Sequence, residues 1–254
     1  MSEQIKSLSK ALIVLEYLAN YPDGLSLHQL SQELGMTKPT LHRILSTFEE
    51  TGYVSQLNPS RDYQLTMKLL HIGHSALNSN VLGLIKPYLF NLLNETQETI
   101  NFLTFNADSI IFKEKLEPIN AAFRTRTYVG LHLPMYCSAA GKCYLAYSSK
   151  RVRDDYWQRN ASAMVALTEN TILDQTKFFN ELEKIKKQGY ALDDEENEAG
   201  ISCIAKPILN KQGMPIYAIS ISTLTPRMKQ YGYDKLADKI NQAVINIQEK
   251  FNFK

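Results

Sequence analysis

The chain has 254 residues, 44% hydrophobic and 21% charged, which fits a globular protein of two domains at roughly 100–200 residues each. No apolar run approaches the ~18 residues needed to cross a bilayer, and the opening MSEQIKSLSK lacks the charged-then-apolar pattern of a signal peptide, so no membrane association is expected. A net charge of +2 and a pI of 8.3 fall short of the pI above ~9 usual for nucleic-acid binders, and residues 1–80 carry six Lys/Arg against seven Asp/Glu, so any DNA role rests on where charges point.

Residues 5–19 carry Ile5, Leu8, Leu12, Leu15 and Leu18/Ala19 at helical spacing, which predicts a helix with one buried stripe. Tyr21-Pro22-Asp23-Gly24 stops it. Ser26 with Gln29 three positions on is a capping-box pattern that opens a second helix, with Leu27, Leu30 and Leu34 on its apolar face. Gly35 can take the positive φ that a sharp helix–turn–helix bend needs.

Thr37 is placed to cap a third helix, and Pro39 is tolerated in its first turn, where backbone N–H groups have no intrahelical partner. Leu41, Ile44, Leu45 and Phe48 share one face. The opposite face offers Pro39, Thr40, Arg43, Ser46 and Thr47, with His42 on its flank and Lys38 at its start. Only the N-terminal half of such a helix normally reaches base edges, so Thr40, His42 and Arg43 are the base-reading candidates. Residues 53–57 and 63–65 read as two short strands around Asn58-Pro59-Ser60, a wing that carries Arg61. The expected DNA-contacting set is Ser26, Thr37, Lys38, Pro39, Thr40, His42, Arg43, Ser46, Thr47 and Arg61. A helix over 67–79 then links the halves. The same spacings also fit a small helical module without a DNA role.

In the second half, 82–97 reads as an amphipathic helix, and 99–105, 109–116 and 121–129 as strands rich in Ile, Phe, Thr and Tyr. Helices follow at 138–147 and 174–188, strands at 201–209 and 215–224, and a long helix at 230–250. Hairpin-like joins fall near 106–108 and 211–213. This interleaving predicts an α+β domain, an antiparallel sheet flanked by helices.

Several features converge on a pocket there. Ser138-Ala139-Ala140-Gly141 opens a helix whose free N–H groups suit a carboxylate. Ser220 and Ser222 alternate with Ile219 and Ile221, giving one hydroxyl-bearing face. Cys203 lies on the preceding strand, Asp193 can accept from ligand hydroxyls, and Arg124 or Arg126 can pair with a carboxylate. Each also has a plainer reading. Cys203 fits as a small core hydrophobe, the serines as lining of a solvated sheet face, and the arginines as surface charges.

The three cysteines, Cys137, Cys143 and Cys203, have neither zinc-ligand nor disulfide spacing, so a reducing cytoplasm is expected and no metal or cofactor. An enzyme would need Cys137 with His132, or Cys203 with a distant histidine, and no nucleophile elbow, HExxH or phosphate loop supports one. No enzymatic activity is expected.

LSLHQLSQELGMTKPTLHRIL, then FEETGYV and a wing ending YQLTMKLL, resemble the N-terminal winged helix-turn-helix of the IclR family of bacterial transcription regulators. GLHLPMYCSAAGKCYLAY (130–147), DDEENEAGISCIAKPI (193–208) and YAISIS (217–222) are similar to that family's effector domain, in the same order. The resemblance implies a winged helix-turn-helix over 1–66, a linker helix over 67–80 and a GAF-like effector domain over 81–254. It implies effector contacts at Ala139, Ala140, Asp193, Cys203, Ser220 and Ser222. Lys206 departs from the family's usual small residue in CIAKPI. Within the family, ETINFLTFNADSIIFKEKLEP and FRTRTYVGLHLPMYCSAAGK are similar to repressors of sugar-acid catabolism of the diketo-L-gulonate and pentulose type, and less so to the ketodeoxygluconate type.

The expected activity is thus sequence-specific binding of double-stranded DNA at a palindromic operator by a homodimer or homotetramer. Two recognition helices would enter major grooves about 34–36 Å apart. A small organic acid in the second domain would control it. A different acid, such as a keto acid or aromatic acid, an activator role, or a winged-helix protein-interaction module without ligand are the alternatives.

Overall fold

The computed structural model describes residues 5–77, 80–120 and 123–251. The chain divides into two compact units, residues 1–79 and 80–254.

The first unit holds α1 (Lys6–Leu18), α2 (Leu27–Glu33), α3 (Lys38–Glu50), a two-stranded sheet of β1 (Val54–Gln56) and β2 (Tyr63–Leu65), and α4 (Lys68–Leu77). The expected helix over 67–79 is thus seen to Leu77; positions 78 and 79 lie outside the described residues. The capping box at α2 forms as its sequence dictates: Gln29 N–H donates to Ser26 Oγ, and Ser26 N–H to Gln29 Oε1. Gly35 has φ of 60°, the left-handed geometry the turn requires. Val14, Leu18, Leu30, Leu41, Leu45, Val54 and Tyr63 close one core.

The stripe expected on α1 needs correction. Its buried residues are Val14 and Leu18, whereas Ile5, Leu8 and Leu12 are exposed. The helix is apolar on two sides, and periodicity alone does not say which side meets α2 and α3.

The second unit is an α+β layered domain. Its six-stranded antiparallel sheet runs β5 (His132–Pro134), β4 (Ser109–Leu116), β3 (Thr99–Asn106), β8 (Pro215–Leu224), β7 (Ile201–Leu209), β6 (Ala191–Asp194). On one face pack α5 (Asn80–Thr96) and α10 (Tyr233–Phe251), burying Ile204, Ile208, Ile219 and Ile221. On the other lie α6 (Ala139–Tyr147), α7 (Lys150–Asn160) and α8 (Gln175–Gln188), over Leu103, Ala205 and Ala218. Because helices cover both faces, β8 is buried almost throughout, and its Ser/Ile alternation sorts polar side chains to the α6 side.

Three expectations are corrected here. The strand foreseen over 121–129 is absent: residues 123–131 form a loop, and 121 and 122 lie outside the described residues. The ammonium of Lys115 donates to the carbonyls of Thr125 and Thr127, so a side chain satisfies backbone groups that a ladder would have used. The long last helix is present as α10 but starts at Tyr233 rather than 230, because Gly232, φ 85°, separates it from an additional short helix, α9 (Thr225–Tyr231). Finally α7, capped by Ser149, and the short β5 and β6 are additions to the expected elements.

Candidate nucleic-acid interface and ligand cavity

In the first unit, the side of α3 turned from the core exposes Lys38, Pro39, Thr40, His42, Arg43 and Thr47, while Ser46 is half-buried. Some of these are locally engaged. Thr37 stands at the N-cap without capping through its side chain; its hydroxyl donates to Thr40 Oγ1 at 3.0 Å. Ser46 Oγ lies 3.4 Å from His42 Nδ1, and Thr47 donates to the Arg43 carbonyl. Arg43 makes no such commitment of its guanidinium to a carboxylate among the described salt bridges.

A groove of about 420 Å³ runs between α2, α3 and the wing, lined by Ser26, His28, Lys38, His42, Gln56, Ser60 and Arg61. It brings together four of the expected DNA-contacting residues: Ser26, Lys38, His42 and Arg61. His28 and Gln56 join them; neither was singled out from sequence, since only the wing's fold against α2 places them there. Arg61 sits at the wing tip with φ of 62°. Arg43 and Thr40 line a second groove, against Lys6 and Lys10 of α1. The exposed side of α3 and the wing is polar and carries the basic residues Lys38, Arg43 and Arg61.

In the second unit, a cavity of about 40 Å³ lies between the sheet and the start of α6. Its polar lining is Ser138, Asp193, Asn197, Glu198, Cys203, Ser220, Ser222, Thr125 and Thr127, and its apolar lining includes Leu103, Ile110, Phe112, Ala139 and Ala140. Ala139, Ala140, Asp193, Cys203, Ser220 and Ser222 therefore meet at one place. Arg124 and Arg126 do not: both are exposed, and Arg126 pairs with Glu198 at 3.2 Å. Residues 124–126 belong to the loop, which turns the threonines inward. The cue for them in the sequence is their alternation with the arginines.

The fold builds each wall for a physical reason. Ser138 Oγ accepts from Gly141 N–H at 3.2 Å and donates to the Pro134 carbonyl at 2.9 Å, which pins the start of α6. The N–H groups of Ala139 and Ala140 lie in the first turn, where a helix offers no intrahelical acceptor. Gly141 is required by contact: a Cβ there would stand 2.3 Å from the Cα of Met135. Across the sheet Asp193 is registered against Cys203, and Cys203 against Ser222. Cys203 Sγ and Ser222 Oγ are 3.2 Å apart.

Charge in this region is unusual. Asp193 Oδ1 accepts from the backbone N–H of Glu196 at 2.7 Å and of Asn197 at 3.3 Å. Burial nevertheless pushes its carboxyl up to about 7, against the pull of Lys142 and those N–H groups. Lys142 of α6 and Glu196 form an ion pair withdrawn from solvent. Burial raises the thiols too, Cys137 to about 12 and Cys203 further, so both stay protonated at neutral pH. His132, which a Cys137 nucleophile would need, instead meets Ser109 Oγ at 3.1 Å. Lys206 points to the other face of the sheet, donating to Asn241 of α10 at 2.8 Å.

A winged helix-turn-helix with a basic outer face, in one chain with a sheet-and-helix domain enclosing a small polar cavity, defines a DNA-binding regulator with a ligand-sensing domain. The chain matches the profile described as the IclR helix-turn-helix domain over residues 7–58 and that of the bacterial transcriptional regulator IclR C-terminal domain over residues 74–249. It belongs to the IclR family of bacterial transcriptional regulators. It is 39% identical to the DNA-binding transcriptional repressor YiaJ of Escherichia coli K12 over 98% of this chain and 88% of that protein. To the HTH-type transcriptional regulator KdgR of the same organism it is 30% identical, over 99% and 94%. The crystal structure of an IclR-type regulator from Alicyclobacillus acidocaldarius superposes with a TM-score of 0.83 at 26% identity, covering 97% of this chain and 99% of that one.

Proposed function

We propose that this regulator represses a sugar-acid catabolic operon and that a small organic acid bound in the cavity sets its affinity for the operator. The observation that carries the reading is the cavity's donor set. Ser220, Ser222 and Asp193 line one space together with Ala139 and Ala140, the first residues of α6, whose N–H groups have no intrahelical acceptor. Such a set suits a carboxylate beside ligand hydroxyls. YiaJ, a repressor by name and similar over nearly the whole chain, supports repression as the output.

The cavity's 40 Å³ has room for only a few waters at the ~10–15 Å³ that one requires, so a six-carbon acid enters only if the wall opens. The loop 123–131, held to β4 by Lys115 and by backbone hydrogen bonds between Phe112 and residues 130 and 131, is the wall without regular secondary structure and the one whose opening the reading requires. A short keto acid needs less opening, and this favours it as the second reading. Either ligand acts only through its different affinity for the open and closed arrangements.

On the DNA side, Lys38, Thr40, His42 and Arg43 read the major groove, Arg61 grips the adjacent backbone, and Ser26, Thr37, Pro39, Ser46 and Thr47 complete the contact surface. A homodimer supplies two such heads to a palindromic site in the cytoplasm. The exposed Ile5, Leu8 and Leu12 of α1 are apolar enough to be covered by a second copy.

The test is a mobility-shift titration of the full chain on the DNA upstream of its own gene, with and without 2,3-diketo-L-gulonate. Specific binding weakened by the acid supports both halves. Specific binding that the acid leaves unchanged keeps the regulator and discards this effector. Absence of specific binding discards the DNA reading.

A further inference from the structure

Asn101 is a costly residue for its place. It lies on β3, next to the centre of the sheet, 1% exposed, between Ile100 and Phe102, which are both core residues. Its oxygen Oδ1 has no hydrogen-bond partner among the described residues. A buried acceptor without a partner is costly, and an aliphatic residue would avoid it.

Its nitrogen is fully used. Nδ2 donates to Ser220 Oγ at 3.1 Å and to Ser222 Oγ at 3.0 Å. An amide nitrogen can only donate, so both serine oxygens must accept. Each serine then has one proton that cannot point at Asn101. Ser222 has a further neighbour, the Cys203 thiol, which keeps its proton and can itself donate. The Ser220 proton is thereby left for the cavity, where both side chains lie, and that of Ser222 is shared between the cavity and the Cys203 sulfur.

We infer that Asn101 is a positioning residue that sets Ser220 and Ser222 as paired donors and so makes the cavity select an anion over a neutral ligand of the same shape. The inference rests on the proposed reading of the cavity as the effector site. Asn101 is outside the cavity lining, so it acts through the serines and not by touching the ligand.

The experiment is calorimetric titration of the full chain with two acid–amide pairs, L-gulonate with L-gulonamide and pyruvate with pyruvamide. Wild type is compared with Asn101→Ala and Asn101→Asp, each checked by thermal melting. Asn101→Leu, which keeps the branched skeleton and lacks a donor, serves if the alanine variant does not fold. Wild type should prefer the acids. Loss of the donors should weaken acid binding about tenfold while amide binding changes less than about threefold. Asn101→Asp, nearer in shape but offering acceptors to the serines, should lose more acid affinity than Asn101→Ala. Parallel loss for acid and amide, or no loss, overturns the inference and leaves the effector site standing. If wild type binds none of the four, the effector reading falls and this inference with it.

Discussion

Lys142 and Glu196 form an ion pair that bridges α6 and the loop after β6, with side chains 1% and 6% exposed. By hydrogen-bond geometry, the second carboxylate oxygen of Glu196 has no partner among the described residues. Burying the two charges is costly, and their mutual attraction recovers that cost only while both are present. Lys142→Met should therefore destabilise the second unit by about 3–5 kcal/mol, because it strands a buried carboxylate. Lys142→Met with Glu196→Leu should recover much of that loss. Urea unfolding followed by tryptophan fluorescence checks this, since Trp157 lies in the adjoining core. Equal stability of the single and double variants would show that the pair is not coupled.

Asp193 gives a pH dependence of known sign. Its carboxyl, raised by burial to about 7, lies well above the ~3.9 of an unfolded aspartate. The folded state therefore holds the proton more tightly, and stability falls as pH rises through the window between ~4 and ~7. Above that window the full penalty is present. Asp193→Asn removes the ionisation, so its stability relative to wild type should improve on going from about pH 5 to about pH 8, by on the order of 2–4 kcal/mol. Glu196, also raised by burial, pulls in the same direction but is present in both proteins. Urea midpoints measured at the two pH values decide it; a pH-independent difference would place the Asp193 titration elsewhere.

How much of this was legible in the sequence differs between segments. The α2–turn–α3 unit was, because a capping box, a glycine at the turn and an apolar face are all local signals. So was the meeting of Ser220, Ser222 and Cys203, because period-2 alternation on neighbouring strands fixes which side chains share a face. Thr125 and Thr127 were not legible. FRTRTYV is rich in β-formers, yet its carbonyls are taken by the Lys115 ammonium, a contact that sequence spacing does not encode. Nor was Asn101, since one amide inside TINFLTF has meaning only once β8 is laid beside β3.

Gly141 carries a prediction by shape alone. A methyl group there would meet Met135 Cα at 2.3 Å and Met135 O at 2.5 Å, both backbone atoms that cannot swing aside. Gly141→Ala should move the start of α6 and cost roughly 1–3 kcal/mol or more, well beyond any gain in helix propensity. It should lower the melting temperature and abolish acid binding, because the N–H groups of Ala139 and Ala140 ride on that turn. An unchanged melting temperature would show that α6 has room to shift.

Arg43 and Arg61 should fail in different ways when truncated. Arg43 stands in the N-terminal half of α3 on its exposed face and Arg61 at the wing tip; in the proposed docking the first reaches base edges and the second a phosphate. Arg43→Ala should cost roughly 1–3 kcal/mol on the operator and relax preference at one base pair. Arg61→Ala should weaken binding to operator and unrelated DNA alike and reduce the slope of log K against log salt by about one. Fluorescence anisotropy on both DNAs across a salt series separates the two. The reverse pattern would mean that the wing reads sequence while α3 only holds the backbone, and a lack of effect from either would move the interface off this face of the first unit.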